Sequence, residues 1–233
     1  MSDLVQLPLF GIVLTLTTYL IGLKIAQKIK SPLANPLLIS TILVIAFLLV
    51  TGIDYQDYNR GGQIISFFLG PATVALGIPL YKQLETIKKN KIPILLGTLL
   101  GSLIAIFSVI GLAYLLGASR ETIVSLSPKS VTTPIAMEVS QQIGGVVPLT
   151  IVGVVITGII GAIIGPEVLK LVKVKSKIAK GLAIGVASHA LGTSRAIEEG
   201  ETEGALSSTA IGLAGIITAL VLPFILKYFF VLI

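Results

Sequence analysis

The chain contains no cysteine and only one histidine among its 233 residues. Without cysteine, it can form no disulfide, iron–sulfur cluster or thiolate metal site. The single histidine, His189, has no second histidine or cysteine with which to build a zinc site, and neither a P-loop nor a nucleophile-elbow motif occurs. The sequence therefore predicts a protein that is not an enzyme and that uses no metal and no cofactor.

Charged residues are also scarce, at 12% of the chain against about 25% in an ordinary soluble domain. Apolar residues instead form blocks of about 20, the length that crosses about 30 Å of hydrocarbon. No remaining stretch is long enough for a separate soluble domain, so we predict a single polytopic membrane domain over 1–233. The apolar blocks cover segments 4–23, 37–53, 61–81, 92–117, 146–169 and 204–230.

The formal net charge of +6 could suggest a nucleic-acid partner, but the positions of the basic residues favour another explanation. Most lysines lie in three short loops, within 24–30, 82–91 and 170–180. Clustered lysines between apolar runs are typical of cytoplasmic loops. We therefore predict a multi-pass plasma membrane protein with its N-terminus outside and no nucleic-acid partner. The first run lacks a basic leader, and we expect it to be retained rather than cleaved as a signal peptide.

This orientation constrains two segments of mixed polarity. Segment 122–143 must begin and end outside, so it either dips into the bilayer as a re-entrant hairpin or crosses twice as short pieces. Segment 181–200 either enters as a hairpin from the inside or crosses completely. A further break is expected within 61–81, at Gly70-Pro71 and Gly77. The predicted fold is an all-α integral membrane protein of about six to eight membrane segments, with two re-entrant or broken-helix hairpins.

A shift of 60 residues aligns the two mixed segments with each other. It matches TTPIAME (132–138) to GTSRAIE (192–198) and places Lys129 on His189. The predicted repeat units are about 120–173 and 180–233, each one hairpin plus one spanning helix. An odd number of crossings per unit inverts the second copy relative to the first, as in secondary transporters whose broken helices meet near the bilayer midplane.

The candidate site lies at the two helix breaks. Thr133 is expected to be an N-cap followed by Pro134, and Thr193 or Ser194 an N-cap in the second hairpin. Two opposed helix N-termini, with Lys129 and His189 beside them, favour binding of an anion. The candidate substrate-binding residues are Lys129, Ser130, Thr132, Thr133 and Glu138 in the first hairpin, and His189, Thr193, Ser194, Arg195 and Glu198 in the second.

Each of these residues also has a purely structural interpretation. Lys129 is close enough to the outer loop to extend its ammonium group to the interface, and His189 can bond a backbone carbonyl. Arg195 has Glu198 or Glu199 one turn away as an ion-pair partner. Glu138 can simply complement the helix dipole. The sequence leaves both interpretations open for each residue.

Two stretches, SPKSVTTPIAMEVSQQIGG (127–145) and ASHALGTSRAIEEGETEGALSSTAIGLAGIITALVLP (187–223), resemble the signature regions of the LrgB/CidB family. The similarity extends over essentially the whole chain. It implies an antiholin-like protein that modulates murein hydrolase export and cell lysis with a small LrgA/CidA-type membrane partner. Other members of the family, the plant plastidial glycolate/glycerate translocator and bacterial pyruvate-uptake proteins, carry small monocarboxylates.

The residues favour the carrier among these functions, because inverted polar hairpins suit a small carboxylate such as pyruvate, glycolate, glycerate or lactate. We therefore expect a transporter or facilitator of monocarboxylates, with proton coupling open. The alternatives are an antiholin-like regulator acting by protein contact, and a channel subunit that conducts only with its LrgA-type partner. The expected partners are the carboxylate, the lipid bilayer and the LrgA/CidA-type protein, and a homo-oligomer is compatible with the same pattern.

Overall fold

The computed structural model describes residues 2–29, 36–75, 77–82 and 84–232, and all regular structure in these ranges is α-helical. Segments named above include Lys30, Leu76, Gln83 and Ile233, which lie outside the described residues. The helices are α1 (Ser2–Val5), α2 (Pro8–Ile29), α3 (Pro36–Thr51), α4 (Tyr55–Phe67), α5 (Leu69–Ala75), α6 (Gly77–Lys82), α7 (Leu84–Lys89), α8 (Lys91–Leu115), α9 (Arg120–Leu126), α10 (Thr133–Gln142), α11 (Val147–Leu171), α12 (Lys177–Glu199) and α13 (Glu201–Leu232).

Among the described residues, four helices are long and apolar enough to cross a membrane, and these are α2, α8, α11 and α13 up to Val231. A fifth, α3, is apolar but shorter. Their positions follow the predicted apolar runs, although α2 extends six residues past the predicted end at 23. The all-helical membrane protein is thus confirmed, whereas the total number of crossings stays a prediction.

The run 61–81 is divided close to Gly70-Pro71, where a break was expected. Helix α4 ends at Phe67, and α5 begins at Leu69, so Pro71 lies in the first turn of α5, where its missing amide removes no helical hydrogen bond. Helix α6 (Gly77–Lys82) follows beyond Leu76. Among the described residues, the run is therefore divided between α4 and α5.

The chain forms two compact units, residues 1–76 and 77–233. In the first, α2 packs against α3 and α4 through small residues: a methyl group built on Gly22 would lie 2.5 Å from the Pro36 carbonyl oxygen. The hydroxyls of Thr18 and Ser40 also bond across this contact at 3.0 Å. Close backbone approach through glycine and hydroxyl pairs is a common way of joining helices in lipid.

In the second unit, residues 120–142 form a broken pair, which we call hairpin 1. Its limbs α9 and α10 are separated by a break at 127–132. Thr150 of α11 donates to the Ser125 carbonyl at 2.8 Å and bonds the Ser140 hydroxyl at 2.7 Å. In a straight helix, residues 15 apart would lie about 22 Å from each other. The two limbs therefore lie side by side, and the chain reverses at the break.

Helix α12 is also broken, and we call it hairpin 2. His189 has φ 43° and ψ −138°, which no helix accommodates. A methyl group on Gly192 would lie only 3.0 Å from Cγ2 of Ile184, on the other side of the break. The eight residues between them would span about 12 Å in a straight helix, so the chain reverses here too.

The contacts of hairpin 2 with α13 give the direction of each limb. In the first limb, Gly181 contacts Glu203 and Leu206, and Gly185 contacts Ser207 and Ala210, so this limb runs parallel to α13. In the second limb, Thr193 bonds Ser207, and Ile197 contacts Gly204, so the limb runs antiparallel. Both limbs pack on the first half of α13, around Leu206 and Ala210, which are fully buried.

Candidate functional site

The break in hairpin 1 carries Lys129 and Ser130. Backbone turns in the break run from the Lys129 amide to the Leu126 carbonyl, at 3.1 Å, and from the Val131 amide to the Pro128 carbonyl, at 3.3 Å. The N-cap of α10 is Thr132, not Thr133 as expected, because Thr132 has extended backbone angles and its carbonyl accepts the first helical bond, from Ala136, at 2.8 Å. Thr133 and Pro134 occupy the first turn of α10.

Lys129 has no ion-pair or hydrogen-bond partner for its side chain within the described part of the chain. Its residue is only partly exposed. The backbone around it is held by α11, because a methyl group on Gly153 would lie 3.5 Å from the Lys129 Cβ. A lysine without a partner in an apolar membrane segment is energetically unfavourable and is usually retained for function.

Two cavities reach Lys129 along the first limb of hairpin 2. One, of about 490 Å³, lies against α11, and the other, of about 910 Å³, lies against α8. Lys129, Ala183 and Ala187 line both. Among the described lining residues, Lys129 is the only charged one. The arrangement concentrates a single positive charge at the meeting point of two otherwise neutral cavities.

His189 occupies the tip of hairpin 2 and is 3% exposed. Its Nε2–H donates to the Val154 carbonyl of α11 at 2.9 Å. The ring fits against Gly158, where a methyl group would lie 2.5 Å from Cε1. His189 therefore forms the bond to a backbone carbonyl that its structural interpretation predicts.

The expected N-cap at Thr193 or Ser194 is wrong, because the break lies at His189 and both residues are already helical. The Thr193 hydroxyl donates to the His189 carbonyl at 2.9 Å and bonds Ser207 of α13 at 2.7 Å. The Ser194 hydroxyl is exposed and donates to the Ala190 carbonyl at 3.2 Å. Thr193 thus fastens the hairpin to α13, and Ser194 faces outward.

Arg195 is paired within its own limb, with Glu198 at 2.7 Å and Glu199 at 2.8 Å. Its side chain is 38% exposed. Glu138 is exposed on α10 and accepts a bond from Gln142 at 3.3 Å. None of these side chains, of Glu138, Arg195, Glu198 and Glu199, lines the two cavities that reach Lys129. Their contacts favour structural roles.

The structure therefore places Lys129 and His189 against α11. Ser130 lies beside Lys129 in the break, and Thr132 and Thr133 lie at the adjacent helix start. The surface of α11 that receives the two tips was not predicted from the sequence, and it consists of Gly153, Val154 and Gly158. Nothing in an apolar run marks which carbonyl accepts a hydrogen bond.

Some contacts within 120–233 join positions that the predicted 60-residue shift places on each other. Ser125 bonds Thr150, and Gly185 contacts Ala210. His189 bonds Val154 of α11, and the break of hairpin 1 lines a small cavity with Ala214 of α13. The tip of hairpin 2 thus lies against α11, and the break of hairpin 1 lies near α13.

Comparison with known proteins gives matches over nearly the whole chain. The model of the LrgB-like family matches residues 15–228. The antiholin-like protein LrgB of Bacillus subtilis (strain 168) is 42% identical over 93% of this chain and 94% of its own length. The antiholin-like protein LrgB of Bacillus cereus (strain B4264) is 40% identical over 95% and 96%. YxaC of Bacillus subtilis (strain 168) is 39% identical over 94% and 95%. No solved structure matches.

Proposed function

Because the chain belongs to the LrgB-like family, we propose that it acts as an antiholin-like protein in the plasma membrane, together with a small LrgA-type membrane partner. The names of its relatives support this role. The three lysine loops support an orientation in which they face the cytoplasm. The two hairpins then enter the bilayer from opposite sides, because one precedes α11 and the other follows it.

A specific observation favours a second function, the passage of a small monocarboxylate such as pyruvate, glycolate, glycerate or lactate. Lys129 is an unpaired cation that lines two cavities with no other charged residue among their described walls. A carboxylate neutralises an ammonium group through a strong charge-assisted hydrogen bond. The start of α10 adds amide groups that its Thr132 side chain does not cap.

The larger cavity supports entry of the carboxylate from the cytoplasmic side. The larger one extends from Asn90 and Ser176, at the lysine-rich helix ends, to Lys129 and Ser130. We infer that the described conformation admits the carboxylate from the cytoplasmic side. Movement of the hairpins against each other would then open Lys129 to the outside, the alternating-access scheme of carriers with inverted repeats.

Uptake into liposomes that hold only the purified protein tests the carrier. We expect saturable uptake of labelled pyruvate or another of these acids and its loss, by at least tenfold, in Lys129→Ala. Lys175→Ala removes one exposed loop lysine and serves as the charge-matched control, which should transport normally. Equal uptake by both variants would exclude Lys129 from the path.

The same variants separate the two functions in cells. If the antiholin-like role depends on flux, Lys129→Ala should alter autolysis as strongly as deletion of the gene. Normal autolysis with a transport-dead variant would show that the protein acts through contact with its partner. Uptake that begins only when the LrgA-type protein is added would instead identify a partner-dependent channel.

A further inference from the structure

The smaller of the two cavities beside Lys129 is a groove that opens sideways, toward the hydrocarbon of the bilayer. Its volume is about 490 Å³, and it lies between α11 and the first limb of hairpin 2. We call it the lateral groove. Ile156, Ile160 and Ile164 line it and are 52%, 48% and 48% exposed. Because one wall is half-exposed, a molecule in the bilayer can enter the groove without crossing the protein.

Small residues give the groove its depth. Helix α11 contributes Gly161 and Gly165, and α12 contributes Ala183 and Ala187. A methyl group on Gly165 would meet nothing closer than Cγ1 of Ile184, at 3.9 Å. The space between the two helices is therefore left open by the side chains that border it, and most of this border is aliphatic.

The groove is about as long as one leaflet of the bilayer is thick. It extends along α11 from Ile156 to Val168, which is about 18 Å at a rise of about 1.5 Å per residue. One leaflet of a hydrocarbon core of about 30 Å measures about 15 Å. An acyl chain that fills the groove therefore has its methyl end near Lys129 and its head group beyond Val168.

Positive charge lies at the end of the groove where this head group would be. The loop 172–176 joins α11 to α12 at that end, and Lys177 and Lys180 lie in the first turn of α12. Lys180 precedes Ala183 and Ile184, which line the groove, by three and four residues. Residues at this spacing share one face of a helix, so Lys180 lies on the groove face of α12.

Neither lysine stabilises the helix that it begins, because positive charge in the first turn opposes the helix dipole. Lys177 and Lys180 form no ion pair within the described part of the chain. The carboxylate of Glu167, at the same end of α11, is already paired with Lys170 at 3.0 Å. An anionic group bound at this end would neutralise both free lysines.

We propose that the lateral groove binds one acyl chain of an anionic phospholipid, whose phosphate contacts Lys177 and Lys180. Basic residues between membrane helices favour anionic head groups. The lipid belongs to the leaflet that borders the loop between α11 and α12. Its chain closes the groove toward the bilayer and leaves the larger cavity as the route to Lys129. This last consequence alone rests on the proposed function, whereas lipid binding does not.

The test compares ligands that each lack one part of the lipid. The thermal unfolding midpoint of the purified full chain in detergent is measured with phosphatidylglycerol, with phosphatidylcholine of the same acyl chains, and with glycerol 3-phosphate, which has no acyl chain. A ligand that binds only the folded state raises the midpoint in a saturable way. We expect a saturable rise with phosphatidylglycerol, a much smaller rise with phosphatidylcholine and none with glycerol 3-phosphate. Equal rises with the two lipids would overturn the proposal.

Two variants change the two ends of the site separately. Lys177→Gln combined with Lys180→Gln should require at least about tenfold more phosphatidylglycerol for half of the rise, because both phosphate contacts are lost. Gly165→Leu should abolish the rise, because its side chain occupies the groove. A normal response in Gly165→Leu would overturn the proposal, since the lysines would then bind head groups without the groove.

Each variant has a matched control that should keep the wild-type response. Lys88→Gln combined with Lys89→Gln removes two exposed lysines from the end of α7. Gly111→Leu adds the same side chain to α8 at a position that lines neither cavity beside Lys129. An equal loss of response in a variant and its control would show a nonspecific effect and overturn the proposal.

Two further outcomes keep the proposal testable. A wild-type dimer that shows no lipid preference and that Gly165→Leu dissociates would assign the groove to a second copy of the chain instead. If the variants fail to fold, native mass spectrometry of the wild type decides the matter. Preferential retention of phosphatidylglycerol supports the proposal, and equal retention of both lipids overturns it.

Discussion

The tips of the two hairpins occupy matching positions in the 60-residue alignment but differ in how their cationic groups are held. Lys129 lies in a break of six residues, 127–132, and its side chain contacts open cavities. His189 forms the whole break by itself, and its ring is buried and bonded to Val154. One tip leaves its charge available to a ligand, whereas the other uses its ring to attach the hairpin to α11.

The two tips thus differ in chemistry although both reverse the chain within the second unit. A break spread over several residues with two backbone turns leaves amides, carbonyls and hydroxyls unpaired for a ligand. A break confined to one residue leaves few such groups, but it requires an unfavourable backbone angle that only tertiary contacts maintain. We therefore expect substitutions at the two tips to have different kinds of effect.

The largest effect on stability is expected at His189. His189→Ala removes the buried ring and its bond to Val154, and should lower the free energy of unfolding by about 2–5 kcal/mol, the range of large-to-small core substitutions. His189→Gly also loses the ring but adopts the positive φ of 43° without strain. The glycine variant should therefore be more stable than the alanine variant by about 1 kcal/mol.

Thermal unfolding in detergent measures both variants, with the corresponding pair at Lys129 as control. The φ angle of Lys129 is not positive, so Lys129→Gly should be no more stable than Lys129→Ala. If glycine stabilised both tips equally, the proposed contrast between a strained and an unstrained break would be wrong.

A smaller loss of stability is expected when a side chain is added at Gly158, on the surface of α11 against which His189 packs. A methyl group on Gly158 would lie 2.5 Å from Cε1 of His189 and 2.7 Å from Cδ1 of Leu191. Gly158→Ala should therefore destabilise the protein by about 1–3 kcal/mol, as overpacking does. Gly165→Ala, on the same helix, meets nothing closer than 3.9 Å and should be neutral or stabilising because alanine favours a helix. Equal unfolding midpoints for the two variants would argue against a tight fit of the ring.

The smallest effect is expected at Arg195. Its two ion pairs lie within one helical limb and are partly exposed to solvent, and such pairs contribute about 0–1 kcal/mol. Arg195→Ala should shift the unfolding midpoint slightly and keep liposome uptake within about twofold of the wild type. The control is Lys170→Ala, which breaks a similar exposed pair with Glu167 at 3.0 Å. A loss of uptake as large as in Lys129→Ala would show that Arg195 binds substrate after all.

The sequence predicted the long helices well because apolar blocks of membrane length leave the backbone no alternative to helix. It also predicted the break around Lys129, where Pro128 and Pro134 interrupt a polar stretch. It misplaced the second break by several residues. No proline or glycine marks His189, and the position of that break depends on contacts with Val154 and Gly158, which are distant in sequence.

The sequence reveals some features of the candidate site and hides those that depend on tertiary contacts. Lys129 was recognisable as a charge in an apolar setting, but its lack of a partner depends on which faces of α8 and α11 surround it. Arg195 had its pairing partners one turn away, which local spacing is able to reveal.

The packing of both limbs of hairpin 2 on α13 has a consequence for how the protein is made. Helix α13 follows hairpin 2 in the chain, so the hairpin leaves the ribosome before the surface on which it packs. Until α13 is inserted, Thr193 lacks its partner Ser207, and Gly181 and Gly185 lack the α13 residues that they contact. The final position of hairpin 2 therefore depends on a helix that is synthesised after it.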